Sequence, residues 1–282
     1  MHSNINKFYE QELSPDVQSL FNLAVSLNDK INALKSSDDS LWSVIAQKLK
    51  VDWTYHSNSL EGSTLTLGET FFFLKEGLTV EGKPFKDFLD ARNHAEAIDY
   101  LYEIISQKRE VSESVIKEIN ALLLSGVTHT LAQNSQGQLV KKQLNAGEYK
   151  KQPNHVLQAD GTIHWYIDPL HVKDQMEELV AWVNQNTTQL SPIYQAAVGH
   201  YNLVRIHAFD DGNGRGARIF MNLILIKGGF FPVVIRTEKK RKYLEALSEA
   251  DKGDLMPFIR FIASELIETY EKVLQDLIFK NE

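Results

Sequence analysis

Residues 207–218 read His207-Ala208-Phe209-Asp210-Asp211-Gly212-Asn213-Gly214-Arg215-Gly216-Ala217-Arg218, with helical patterns on either side. Upstream, Ser191-Pro192 is a helix start, a hydroxyl N-cap followed by proline at the first helical position. Ile193, Ala196, Ala197 and Val204 then keep helical spacing toward His207. Downstream, Ile219, Leu223 and Ile226 form a second apolar stripe that Gly228-Gly229 ends. The segment is therefore predicted to be a loop joining two helices. Gly212-Asn213-Gly214 allows φ > 0 at successive positions, which turns backbone N–H groups toward one centre. The positive end of the next helix points at the same centre, so the loop suits an anion. Arg215 and Arg218 are three apart, share a helix face and can both reach that anion. Asp211 is a hard oxygen ligand suited to Mg²⁺ bridging phosphates, and His207 can take a proton from an attacking hydroxyl.

Two blander readings compete. An ordinary Asp-Gly-Asn-Gly turn is common, but it needs neither two helix-facing arginines nor a flanking histidine. A calcium loop is excluded, because aligning Gly214 with its invariant glycine puts Phe209 and Phe220 where carboxylates are required. The segment closely resembles the Fic motif, His-Pro-Phe-x-Asp-Gly-Asn-Gly-Arg-x-x-Arg, with Ala208 in place of the usual proline. The resemblance extends over most of the chain. Ser57-x-x-x-Glu61-Gly62 resembles the inhibitory Ser/Thr-x-x-x-Glu-Gly/Asn motif of the class that carries it ahead of the Fic core. In that class the glutamate pairs with the second loop arginine, which here is Arg218. Glu61 is also electrostatically misplaced, since residues 53–62 predict a short helix, stopped by Gly62, that puts Glu61 at its already negative C-terminal end.

Composition bounds the answer. The 43% hydrophobic and 24% charged fractions are those of a globular chain, and no apolar run approaches a membrane span. Met1–Glu10 lacks the apolar core of a signal peptide. Zero cysteines exclude disulfides and thiolate metal sites and fit a cytoplasmic location. A formal charge of −7 argues against a nucleic-acid surface.

Elsewhere the chain reads as helices. Ser14-Pro15 starts one with the stripe Val17, Leu20, Phe21, Ala24, Leu27, Ile31 and Leu34, which Ser36-Ser37-Asp38-Asp39 breaks, and a second helix carries Leu41, Trp42, Ile45 and Leu49. Thr66 and Glu69 form a capping box ahead of Phe71, Phe72 and Leu74. A long amphipathic helix follows Pro84, and Ser112 caps another. Residues 139–168 interrupt the pattern with short β-branched and aromatic pieces and an Asp160-Gly161 turn, predicting a β-hairpin. His155 and His164 on it read as solvated rather than as a metal pair.

The expected fold is mainly α. It comprises a Fic helical core at 84–282 with a β-hairpin flap at about 139–168, and an N-terminal helical extension at 1–83 that supplies the motif Ser57–Gly62. The resemblance implies a protein adenylyltransferase that moves AMP from ATP to a hydroxyl of a target protein held along the flap. In that mechanism His207 is the base and Asp211 holds Mg²⁺. Gly212, Asn213 and Gly214 stabilise the α-phosphoryl charge, Arg215 and Arg218 clamp the β/γ end, and Asn222 lines the nucleotide. Gly147-Glu148-Tyr149-Lys150 resembles the family's Gly-x-x-Arg flap entry, with lysine for arginine. Still open at this point are AMP removal with Glu61 activating water, another Fic-type transfer, and a nucleotide-sensing interaction protein locked by Glu61. Self-modification and a homodimer are open as well.

Overall fold

A computed structural model of the chain describes residues 7–35, 39–133, 138–157 and 161–279. Among these, the periodic segments become ten α-helices and four short strands. Helix α1 (Pro15–Lys35) turns Val17, Phe21, Ala24, Leu27 and Ile31 inward along the last helix, α10 (Met256–Phe279). Of the expected break at 36–39, residues 36–38 lie outside the described residues, and Asp39 opens the next helix.

Helix α2 (Asp39–Leu60) differs from the expectation of two pieces. No glycine or proline separates Leu49 from Trp53, so the helix continues to Leu60 and stops at Gly62, whose φ of 97° only glycine adopts freely. Helix α3 (Leu67–Glu76) begins at the predicted capping box. Glu69 N–H donates to Thr66 Oγ1, and Thr66 N–H donates to Glu69 Oε2. Helix α4 (Phe85–Ser106) buries Phe88, Ala91, Ala95, Ile98 and Leu101, and Ser112 caps α5 (Glu113–Leu123).

The segment expected as one hairpin belongs to two. Strand β1 (His129–Gln133) pairs antiparallel with β2 (Leu139–Gln143), and β3 (His155–Leu157) pairs with β4 (Ile163–Trp165). Leu139 thus pairs backward, with Gln133, and the chain leaves the first ladder before building the second. Asp160 of the anticipated turn lies outside the described residues; its neighbour Gly161 has φ 83°.

Asp168 and Ser191 cap α6 (Pro169–Gln185) and α7 (Pro192–Ile206), each with proline in the first turn. Helix α7 and α8 (Asn213–Lys227) are buried on nearly every side and form the centre of the molecule. Gly199 sets their approach, because a Cβ there would come within 2.9 Å of Ile224 Cδ1. A 3₁₀ turn (Thr237–Lys239) and α9 (Lys240–Asp251) complete the chain before α10. No helix among the described residues is long and apolar enough to cross a membrane.

Candidate active site

The loop between α7 and α8 is tied down from behind. Its first residue, His207, ends α7 in the left-handed region at φ 50°, ψ 56°. Among the described residues, Lys108 is the one other non-glycine with positive φ. Such a conformation persists only where its surroundings hold it, and those surroundings are visible here. Lys150 N–H donates to Ala208 O at 2.8 Å, and Asn120 Nδ2 donates to Asp211 O at 2.9 Å. Phe209 C=O accepts from Asn154 Nδ2 at 3.2 Å and from Asn213 Nδ2 at 2.8 Å, while Phe209 N–H returns to Asn213 Oδ1 at 3.0 Å. Lys142 of β2 pairs with Asp210 at 2.6 Å, fastening the first hairpin to the same loop. Ala208 is buried, and its carbonyl is held by Lys150.

The front of the loop is left open to an anion. Gly212 is the N-cap of α8 in the left-handed region and offers no side chain, so no side chain caps the helix start. Asp211 Oδ1 accepts from Gly212 N–H at 2.6 Å. Arg215 follows, with Nη2 3.6 Å from Asp211 Oδ1 and Nη1 2.8 Å from Asp90 Oδ1 of α4. The Arg215 and Asp90 side chains are 4% and 8% exposed, and Asp90 also takes Lys86. Burial works against the Arg215 charge, but Asp90 and Asp211 outweigh it and raise its pKa.

Arg218 is held by the end of α2. Its Nε donates to Ser57 Oγ at 2.9 Å, and Nη2 donates both to Ser57 O at 2.9 Å and to Glu61 Oε1 at 2.7 Å. Burial pushes the Glu61 carboxyl up. The Arg218 charge and hydrogen bond, with Arg215 and His207 adding to them, outweigh that and hold it below the usual carboxylate range. A Cβ on Gly214 would collide with Glu61 Oε1, so the glycine makes room for the carboxylate. Lys240 of α9 caps α2 by donating to Leu60 O at 2.7 Å.

His207 Nδ1 lies 3.3 Å from Val204 O, a group that only accepts, so the proton of the neutral ring belongs on Nδ1 and Nε2 carries the free lone pair. Burial, reinforced by the Lys150 charge, pushes the pKa of His207 down to about 3. Burial likewise lowers Lys150 to about 8; its ammonium donates to Asn154 Oδ1 at 2.6 Å.

Ser57, Glu61 and Arg218 therefore meet, and Asp211, Gly212, Gly214 and Arg215 surround the start of α8. Two expected site residues also serve the fold. Asn222 is fully buried, its Nδ2 on Val233 O and its Oδ1 taking Val233 N–H, so both polar atoms of its side chain are bonded within the core. Asn213 closes the loop with both polar atoms, which leaves only its backbone for an anion. Asp90, Lys142, Asn154 and Tyr166 carry no motif and were not anticipated. Mg²⁺ takes one or two carboxylates together with substrate phosphates, and Asp211, 29% exposed beside the helix start, fits that pattern. No group of three metal-binding side chains occurs among the described residues.

The Fic/DOC family model matches residues 110–225, which span the loop and most of α8. A protein adenylyltransferase Fic of Nematostella vectensis is 36% identical over 211 residues, 74% of this chain and 45% of that protein. A protein adenylyltransferase fic-1 of Caenorhabditis elegans is 31% identical over 214 residues, 75% of this chain and 38% of that protein. The chain thus spans less than half the length of these curated relatives. Among solved structures, a Fic domain containing signaling protein from Bacteroides thetaiotaomicron superimposes with a TM-score of 0.79 at 29% identity, covering 90% of this chain and 96% of that one. With the loop, the helices that frame it and these likenesses in agreement, the chain belongs to the Fic family.

Proposed function

We propose that this protein is an adenylyltransferase acting on protein hydroxyls, restrained by Glu61. The observation that carries the reading is an unprotonated imidazole nitrogen on one lip of a loop whose other lip is an uncapped helix N-terminus. The naming of the Nematostella and Caenorhabditis relatives supports adenylyl transfer over other chemistry on the same loop.

The triphosphate of ATP lies along the N–H groups that open α8. His207 Nε2 takes the proton of the target hydroxyl, whose oxygen attacks the α-phosphorus. The new O–P bond forms as the bond to the β-phosphate bridging oxygen breaks, and pyrophosphate leaves. Gly212 and Gly214, with the backbone of Asn213, stabilise the charge developing on the α-phosphoryl oxygens. Arg215, held by Asp90, supplies fixed positive charge behind them. Asp211 would hold Mg²⁺, which would supply positive charge for the leaving group. Arg218 is the group for the γ-phosphate, and while Glu61 and Ser57 hold it the triphosphate settles poorly aligned. A target segment bound along the hairpin that ends at Trp165 brings its hydroxyl to His207.

Incubation with ATP labelled at the α- or the γ-phosphate tests the reading. Covalent label from α and none from γ, lost in His207→Ala, is the expected outcome. Label from γ would make the chemistry phosphoryl transfer, and saturable binding without any label would make the protein a nucleotide sensor.

A further inference from the structure

Tyr166, the residue after β4, lies flat on the His207 imidazole, with ring centroids 3.6 Å apart and planes 16° from parallel. Nothing in the loop motif requires it, and it sits on the second hairpin segment rather than on α7 or α8. Its backbone is fixed to the element that carries His207. Tyr166 N–H donates to Asn154 O at 3.3 Å, Asn154 Nδ2 donates to Phe209 O at 3.2 Å, and Asn154 Oδ1 takes Lys150 Nζ at 2.6 Å. A short circuit of main-chain and side-chain bonds thus sets the register of the tyrosine against the histidine two residues ahead of Phe209. His164 packs edge-on against the outer side of Tyr166, with ring centroids 5.0 Å apart at 74°.

We propose that Tyr166 is the positioning residue for His207, a flap-borne ring that fixes the plane of the imidazole so that the Nε2 lone pair keeps one direction. The inference rests on the reading of His207 as the base. The lone pair lies in the ring plane, so a stacked neighbour covers a π-face and leaves the acceptor open. The two other constraints, Nδ1 on Val204 O and the left-handed backbone, fix the tautomer and the origin of the side chain. Neither fixes the tilt of the ring; the stack does. Because the hairpin that places Tyr166 is also the surface proposed to hold the target, displacing it would loosen the base at the same time.

The groups facing His207 are Lys150 from the hairpin entry, His164 and Tyr166 from β4 and its end, Glu61 from the turn after α2, and the Val204 carbonyl of its own helix. Removing the tyrosine ring admits water to one imidazole face, which favours the protonated form.

The test compares Tyr166→Leu and Tyr166→Phe, each with and without Glu61→Gly. It reads label transfer from α-labelled ATP, ATP affinity by calorimetry, and the titration of His207 followed by its ring nitrogens in NMR. Tyr166→Leu should lower transfer by about 10²-fold, the cost of misplacing a reacting group by about 1 Å, with ATP affinity unchanged. Its His207 should titrate closer to the usual value of about 6.5. Tyr166→Phe should restore both properties, since it keeps the stack. Unchanged transfer and titration in Tyr166→Leu would overturn the proposal. An order-of-magnitude loss in Tyr166→Phe would overturn it equally, by moving the role to the hydroxyl, and that arm decides if the leucine variant does not fold. His207→Ala serves as the separate control: transfer surviving that change removes the base reading itself, whereas transfer lost there and intact in Tyr166→Leu removes only the positioning role.

Discussion

Arg218 Nη2 lies 2.7 Å from Glu61 Oε1, although the two residues are 157 positions apart, one on α8 and the other in the turn after α2. Ser57 accepts from Nε through its hydroxyl and from Nη2 through its carbonyl, so with Glu61 the end of α2 grips Arg218 at three points. Arg218 is 3% exposed at its side chain, whereas Glu61 is 44% exposed. The pair is therefore a buried cation answered by a partly solvated carboxylate, and the carboxylate is the member a ligand can displace.

Ser57→Ala removes one acceptor and leaves the Arg218 Nε–H, buried in the fold, without its partner. A stability loss of about 1–3 kcal/mol is expected in urea unfolding. Transfer should rise less than in Glu61→Gly, because the glutamate contact persists. A serine variant as stable as wild type would mean the hydroxyl contact contributes nothing.

Asp90→Ala leaves Arg215 as a buried charge answered by Asp211, 3.6 Å away, and by Glu61 without a direct ion pair. Losing one partner of a buried pair costs about 3–5 kcal/mol. Chemical denaturation should show this, and Asp90→Asn should recover part of it by keeping an acceptor. A loss below the level of surface substitutions would show that Arg215 finds other compensation.

Asn222→Ala separates fold from site. Both side-chain polar atoms serve the Val233 main chain, so the midpoint of thermal unfolding should fall while ATP affinity stays that of wild type. Weakened nucleotide binding without a stability change would return Asn222 to the nucleotide pocket.

Acid should unfold the protein from near pH 6.5 downward. Burial pushes His207 and His200 to about 3 and His56 to about 4, and pushes His94 well down. These histidines are neutral in the fold and charge in the unfolded chain at about 6.5. Their depressed values therefore contribute stability in full above that pH, and it drains away as the pH falls toward the folded values. Glu61 acts in the same direction at lower pH, since its carboxyl is held below the usual range. Thermal unfolding between pH 7.5 and 4.5 should show a falling midpoint, and a flat profile over that range would contradict the buried neutral histidines.

Much of this architecture was legible because its signals are local. Pro15, Thr66, Ser112 and Ser191 mark helix starts within one turn of themselves. The loop from His207 to Arg218 carries its residues consecutively, so spacing alone placed Asp211 near Arg215. Non-local partners were hidden. Asp90 meets Arg215 across 125 positions, and nothing near Asp90 distinguishes it from other charges on α4. Tyr166 reads as one more aromatic of a hairpin until tertiary structure lays it on His207. The bond from Asn222 to Val233 was hidden in the same way, since its place one turn beyond Arg218 gives no sign of a main-chain partner in the segment after α8. The hairpin boundaries failed because strand pairing depends on partners outside the segment, and β2 pairs with the residues before it.

The central claim is that the Glu61 contact restrains a competent transferase. Its most direct test is the rate of covalent labelling from α-labelled ATP, at saturating ATP and Mg²⁺, in wild type, Glu61→Gly, and Glu61→Gly with His207→Ala. Freed of Glu61, Arg218 can take the γ-phosphate, and realigning the α-phosphorus by about 1 Å is worth on the order of 10²-fold in rate. Labelling should rise strongly in the single variant, with much smaller change in ATP affinity, and should vanish in the double variant, because releasing the arginine cannot replace the base. Glu61→Gly labelling no faster than wild type would contradict the account and leave Glu61 as a partly solvated charge beside Arg218.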